Sequence, residues 1–108
     1  MPHRIHITEN KTVSFPRTPV FFTTIDLEKW CCSQLYRTYS GGARSLPLPV
    51  SMPAMTCPGT PLRVCAEAVL RSVVFFLSEY PDTVRIDLLC DSEECAAFYR
   101  EQLKALLI

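Results

Sequence analysis

The longest regular pattern in the chain covers residues 59–80, which are apolar around most of their circumference when drawn as a helix. Thr60 suits the N-cap, and Pro61 suits the first helical position, where a missing N–H costs nothing. Pro81 is expected to end the helix. The polar positions fall within roughly 80° of one another, so only a narrow stripe should face solvent. That stripe consists of Arg63, Glu67, Arg71 and Ser78.

The same periodicity predicts two further helices. The first covers residues 26–40, with Asp26 as its N-cap and Gly41 as a left-handed C-cap. The second covers residues 92–107, and Asp91 with Glu94 resembles a capping box at its start. Both helices have one apolar face, so both should pack against a common core.

Four strands are predicted from alternating or β-branched runs, at residues 4–8, 20–25, 45–50 and 83–90. The first is expected at a sheet edge. Pro47 and Pro49 weaken the hydrogen-bond ladder of the third, which should be short or have one side unpaired. The fourth ends in an apolar pair, as an interior strand does. The order β, β-α, β-α, β-α predicts an α/β fold with three α/β/α layers and a small, mostly parallel sheet.

Length and composition indicate one domain over residues 1–108, with an irregular strand and loop over 1–19 and the α/β core over 20–108. The chain is 48% hydrophobic and 20% charged, which is typical of a globular protein. Eleven basic residues balance eleven acidic ones, so neither nucleic acid nor a membrane surface is an expected partner.

Six cysteines are present, but residues 1–10 contain no apolar segment that would direct export. We therefore expect a cytoplasmic or nuclear protein with reduced thiols. His3 and His6 lack a third ligand in register, so no metal site is predicted, and no cofactor is expected.

Three stretches resemble the C-terminal half of a macro domain, the module that binds ADP-ribose and in some branches hydrolyses its esters. GARSLPLPVSMPAM at residues 42–55 resembles the strand and phosphate-binding loop of that family. The second stretch, GTPLRVCAEAVLRSVVFFLSEYPD at residues 59–82, resembles the helix that follows this loop in the family. The third, VRIDLLCDSEECAAFYREQL at 84–103, resembles the family's terminal strand and helix. The resemblance covers roughly 85 of the 108 residues and implies a macro-like fold.

The chain also departs from the macro pattern. Nothing in residues 1–19 matches the half of the family that supplies an Asp for adenine and a glycine-rich loop for the ribose. A diphosphate cradle uses successive backbone N–H groups, but the loop before the long helix contains Pro53 and Pro58, and Gly59 is its only glycine. The resemblance therefore implies a truncated, degenerate macro domain that lacks catalysis.

Two sets of residues are candidates for function. Ser51, Gly59, Thr60 and Arg63 would form a weak site for ADP-ribose or a related nucleotide at the start of the long helix, although a purely structural cap explains the same residues. Phe15, Trp30, Tyr36 and Tyr39 are candidates for a protein-interaction surface, because half of a three-layer domain should leave an open sheet edge or apolar face.

The leading interpretation is a non-catalytic interaction or scaffolding module, with self-association through the exposed edge as one form of that interaction. The first alternative is ADP-ribose binding at residues 59–63. The second is an enzyme that uses Cys95 or Cys57 as a nucleophile, although the acidic residues around Cys95 favour its thiol form.

Overall fold

The computed structural model describes residues 4–10, 21–51 and 55–107. It contains three strands in a parallel sheet of order β1-β3-β2 and three helices. This confirms the predicted α/β class with a small parallel sheet. The elements are β1 Ile5–Glu9, α1 Thr24–Ser40, β2 Ser45–Val50, α2 Leu62–Glu79, β3 Arg85–Cys90 and α3 Glu93–Leu107.

The strands occupy the positions that their sequences favour. β3 lies in the centre and pairs with β1 and β2, while β1 and β2 are the outer strands of the described sheet. Pro47 and Pro49 are tolerated in β2 because proline nitrogens can face away from β3, towards the open side of an edge strand. Within the part of the chain that the structure describes, the predictions of an edge strand near residues 4–8 and an unpaired side for 45–50 are confirmed.

The two faces of the sheet differ in burial. On one face the side chains are buried, and on the other His6, Ser45 and Arg85 are exposed. The three helices add their buried side chains to the first face, in a single core. Within the described residues the domain therefore has two layers, and the second helical layer of the predicted arrangement is not among them. The buried strand residues are Ile5, Ile7, Leu46, Leu48, Val50, Ile86, Leu88 and Cys90.

α2 is the packing centre of the helical layer, as its sequence predicts. It packs against both α1 and α3 and has nine buried residues, eight of which belong to the hydrophobic core. The predicted solvent stripe is confirmed, since Arg63, Arg71 and Ser78 are exposed and Glu67 is half-buried. Phe75 lies on the same side of the helix and is 58% exposed. The prediction placed only polar residues on that side.

The start of α1 corrects two predictions. The predicted strand at 20–25 is wrong, because α1 begins at Thr24 and the described residues before it are not a strand. Asp26 is not the N-cap. Thr23 has extended backbone angles, and its hydroxyl accepts the Asp26 amide proton at 3.2 Å. Asp26 lies in the first turn, where its charge is favourable beside the amide end of the helix dipole.

The other helix boundaries differ from the prediction by one to three residues. Pro61, not Thr60, is the N-cap of α2, because its extended backbone lets its carbonyl accept the amides of Val64 and Cys65. Ser92, rather than Asp91, caps α3, and its hydroxyl accepts the Cys95 amide at 3.1 Å. Gly41 has φ −78°, so the left-handed residue after α1 is Gly42, with φ 104°.

None of the described helices combines the length and the hydropathy needed to cross a membrane.

Candidate functional site

A large groove lies on the helical layer, along the seam between α1 and α2. Its volume is about 760 Å³, and its surface is mostly apolar. Glu28 lies beside Ser72, and Tyr36 beside Tyr80, so α1 and α2 run in the same direction, as crossovers of a parallel sheet require. The lining residues are Ile25, Glu28, Lys29 and Cys32 of α1, Arg71, Ser72, Val74, Phe75 and Ser78 of α2, and Leu106 of α3.

Small side chains at the seam produce the floor of this groove. The Ser72 hydroxyl donates to the Ala68 carbonyl at 2.9 Å and lies 3.5 Å from the Glu28 carbonyl of α1. Cys32 is half-buried next to Ser72. Because both side chains are short, the helices approach closely beneath them and leave a depression above them.

Two large apolar side chains stand at the sides of the groove. Ile25 is 59% exposed and Phe75 is 58% exposed. Each lies one helical turn from an exposed charged residue that also lines the groove, Ile25 from Lys29 and Phe75 from Arg71. An exposed aromatic side chain beside an apolar depression is characteristic of a surface that binds another molecule.

A second, smaller groove of about 330 Å³ continues from the first towards the carboxyl ends of α1 and α2. It shares Cys32 and Phe75 with the larger groove and adds Tyr36, which is 51% exposed. We call the two grooves together with Ile25, Tyr36 and Phe75 the α1–α2 face. It is a continuous, largely apolar strip.

An aromatic cluster holds the carboxyl ends of the two helices together beneath this face. The rings of Tyr39 and Tyr80 are 4.7 Å apart between centroids, and those of Phe76 and Tyr80 are 4.5 Å apart. Tyr36 also contacts Tyr80, at 5.9 Å. The cluster fixes the positions of the two helix ends, so the groove above it has a defined shape.

A polar network fastens the same end of α1 to the turn after α2. The Tyr39 hydroxyl donates to the Asp82 carboxylate at 2.6 Å, and the Arg44 guanidinium donates to the same carboxylate at 3.1 Å. Arg44 also lies 4.0 Å from the centre of the Tyr39 ring. The hydrogen bond from Tyr39 lowers the pKa of Asp82, and donating it is also the main reason that the pKa of Tyr39 is raised.

The predicted interaction residues fall in different surroundings. Tyr36 and Tyr39 meet at Tyr80, and Tyr36 lines the α1–α2 face. Trp30 is half-buried and packs edge-on against Phe21, with ring centroids 5.7 Å apart. Phe15 lies outside the described residues.

The predicted ligand residues lie around the end of β2 and the start of α2. Ser51 is buried, Thr60 is half-buried, and Gly59 and Arg63 are exposed. Gly59 has φ +73°, a left-handed conformation that a side chain would strain. The Thr60 amide donates to the Cys57 carbonyl at 3.1 Å. Since Pro61 has no N–H, this helix start offers fewer amide donors than a diphosphate cradle uses.

Arg63 lines a separate groove of about 230 Å³ between α2 and α3, together with Glu67 and Gln102. The Arg63 side chain therefore borders a helix–helix groove, in which Glu67 adds a negative charge. That carboxylate would oppose the attraction of Arg63 for a diphosphate.

Five of the six cysteines are buried and none is in a disulfide. Burial raises the pKa of Cys57 to about 11, and the hydrogen bond with Cys95 raises the pKa of Cys90. Cys32 is the one cysteine that is only partly buried. Its partial burial raises the pKa of its thiol, and a hydrogen bond with Ser72 offsets part of that rise. None of the described His, Cys, Asp and Glu side chains form a group of three able to hold a metal ion.

No protein-family model matches the chain, and no curated protein has a significantly similar sequence. The resemblance to a macro domain therefore rests on the three stretches of sequence alone and stays a prediction.

Sequence reasoning misses the residues of the α1–α2 face, apart from Tyr36. Ile25 falls in the segment predicted as a strand, and nothing in the sequence separates Cys32 from the buried thiols. Phe75 does leave a signal, because it lies one turn after Arg71 and one turn before Ser78, on the stripe that should be polar.

Proposed function

We propose that this chain is a non-catalytic protein-interaction module, cytoplasmic or nuclear, that docks another polypeptide on the α1–α2 face. The observation that carries the proposal is Phe75, an aromatic side chain more than half exposed beside an apolar groove of about 760 Å³. Large exposed aromatic side chains are enriched at the centres of protein interfaces, where they fill pockets on the partner.

The surroundings of Phe75 support a protein partner over a small polar ligand. The groove is mostly apolar and long, because it follows two parallel helices. Its charged residues, Glu28, Lys29 and Arg71, are helix-surface side chains, as expected for the polar rim of an interface. A partner that presents apolar side chains along a helix would bury Ile25 and Phe75 and leave these charges at the edge.

The thiols support the non-catalytic part of the proposal. Cys57 and Cys95, the candidate nucleophiles, are 4% and 0% exposed. A nucleophilic cysteine needs an accessible thiolate, but Cys57 has its pKa raised to about 11 by burial.

Site-specific photo-crosslinking tests the proposal, because it captures a bound polypeptide whatever its identity. The photoreactive amino acid p-benzoylphenylalanine is placed at position 75 in the full chain, in cells that express it. Position 84 is the matched control, since Val84 is also apolar and 62% exposed but does not line the groove. We expect covalent adducts with a polypeptide from position 75 and few or none from 84. Absence of adducts from 75, or equal adducts from both positions, would refute the docking surface.

A further inference from the structure

The docking surface proposed for this chain must have an occupant, and the β2 edge and the α1–α2 face differ in how well they suit self-association. β2 is an outer strand of the described sheet, but its Pro47 and Pro49 have no N–H to offer an added strand. Strand addition at that edge would leave two ladder positions without donors. The helical layer is therefore a more favourable surface for self-association than the β2 edge.

The α1–α2 face carries both a projecting side chain and a depression, the two features that a two-fold interface needs on one patch. In such an interface the same patch is used by both copies, so each patch must carry a projection and a matching depression. Phe75 is the projection, at 58% exposure, and the groove floored by Cys32 and Ser72 is the depression beside it. Two copies related by a two-fold axis can each insert Phe75 into the groove of the other.

The charges on the face also permit self-pairing. Glu28 and Lys29 are neighbours on α1, and Arg71 forms a 4.0 Å ion pair with Glu67 on α2. Both signs are therefore present on each copy. The whole chain has eleven basic and eleven acidic residues, so two copies do not repel each other through net charge.

The exposed side chains of the α1–α2 face supply much of the apolar area that a standard interface buries. A large aromatic side chain carries about 150–250 Å² of surface, so the exposed halves of Tyr36 and Phe75 supply roughly 100 Å² each. Ile25, at 59% exposure, adds a similar amount. A standard interface buries about 800 Å² per partner, of which about 57% is apolar. These three side chains supply roughly two-thirds of that apolar area, and Val74 and Leu106 extend it.

From these observations we infer that the occupant of the α1–α2 face is a second copy of this chain, which forms a two-fold symmetric homodimer with each Phe75 in the partner groove. The inference rests on the proposed docking function and names its partner.

The test is the molar mass of the purified full chain, measured by light scattering and sedimentation over a concentration series from about 1 to 200 µM. The wild-type mass should rise from 12.3 kDa towards twice that value. Phe75→Glu should weaken the dimer at least about tenfold, because it places a charge in the centre of an apolar interface. Val84→Glu should leave the dimer unchanged. Phe75→Ser, which adds no charge, should weaken it in the same direction.

Each outcome decides the inference. A wild-type chain that stays at 12.3 kDa throughout the series, or a dimer unaffected by Phe75→Glu and Phe75→Ser, overturns it. If the chain is monomeric but crosslinks from position 75 to a different polypeptide, the homodimer is wrong and the docking surface stands. If it is monomeric and gives no crosslinks, both proposals fail. Thermal unfolding of each variant shows that a lost dimer is not a lost fold.

Discussion

The same substitution, threonine to valine, should have opposite effects on stability at two positions in this fold. Thr83 is 2% exposed, and its hydroxyl oxygen has no hydrogen-bond partner within the described residues. Its backbone is well satisfied, because its N–H donates to the Tyr80 carbonyl at 3.0 Å and its carbonyl accepts from the Arg4 guanidinium. Thr83→Val therefore removes only the unpaired hydroxyl and keeps the shape of the side chain.

The magnitude follows from the cost of an unpaired buried hydroxyl, about 1–3 kcal/mol. Taking the lower value, Thr83→Val should stabilise the domain by about 1 kcal/mol and raise Tm by roughly 4 °C for a domain of this size. At Thr23 the hydroxyl caps α1, accepting the Asp26 amide at 3.2 Å. Thr23→Val should cost about 1 kcal/mol, since valine suits the extended backbone there but cannot cap.

The assay is denaturant and thermal unfolding of the two variants beside the wild type, under one buffer condition and at one protein concentration. Fixing the concentration matters because an associating chain has a concentration-dependent Tm. If Thr83→Val lowers the free energy of unfolding by as much as Thr23→Val does, the Thr83 hydroxyl has a partner and the reasoning is refuted.

Three further predictions concern the thiols, the polar network and the ligand alternative. In the native monomer only Cys32 should be alkylated by N-ethylmaleimide, and the five buried thiols should react only on unfolding. Mass spectrometry of the alkylated chain measures this, and rapid labelling of a second cysteine would contradict the prediction. The hydrogen bond from Tyr39 lowers the pKa of Asp82 in the folded state. This bond should therefore stabilise the fold at pH values above the pKa that Asp82 has in the unfolded chain, and the stabilisation should be lost as the pH falls through the lower pKa that Asp82 has in the folded chain. Tyr39→Phe should flatten that part of the pH–stability curve in urea titrations, and an unchanged curve would show that the network does not contribute. Calorimetric titration with ADP-ribose should give no saturable heat below millimolar ligand, since the start of α2 lacks a cradle of successive amides; saturable binding that is lost in Arg63→Ala would instead favour the ligand alternative.

The sequence is sufficient to predict β1, β2 and β3, because apolar residues alternate with other residues in each of them. It fails at residues 20–25, where β-branched and aromatic residues favour a strand. There, the Thr23 hydroxyl starts a helix instead, and Phe22 and Ile25 are left 71% and 59% exposed. Propensity describes a residue's preference for a half-buried pleated surface, so it carries little information where no neighbouring strand is available.

The sheet order and the open face of the sheet cannot be read from the pattern. Alternation shows which side chains of β3 share a face, but it does not show that β3 lies between β1 and β2. The α1–α2 face cannot be predicted from the sequence pattern either, because it depends on how the two helices are aligned along each other. That register brings Ser72 beside Glu28 and places Phe75 next to Cys32.

The most direct test of the docking surface is the rate at which Cys32 is alkylated, compared between the chain in cells and the purified chain at nanomolar concentration. Cys32 is the one partly exposed cysteine and lies on the floor of the groove. In the wild type an occupant should slow its alkylation in cells several-fold relative to dilute solution, and Phe75→Glu should abolish that difference. Equal rates for the wild type in both settings would contradict the proposal that the α1–α2 face is a docking surface.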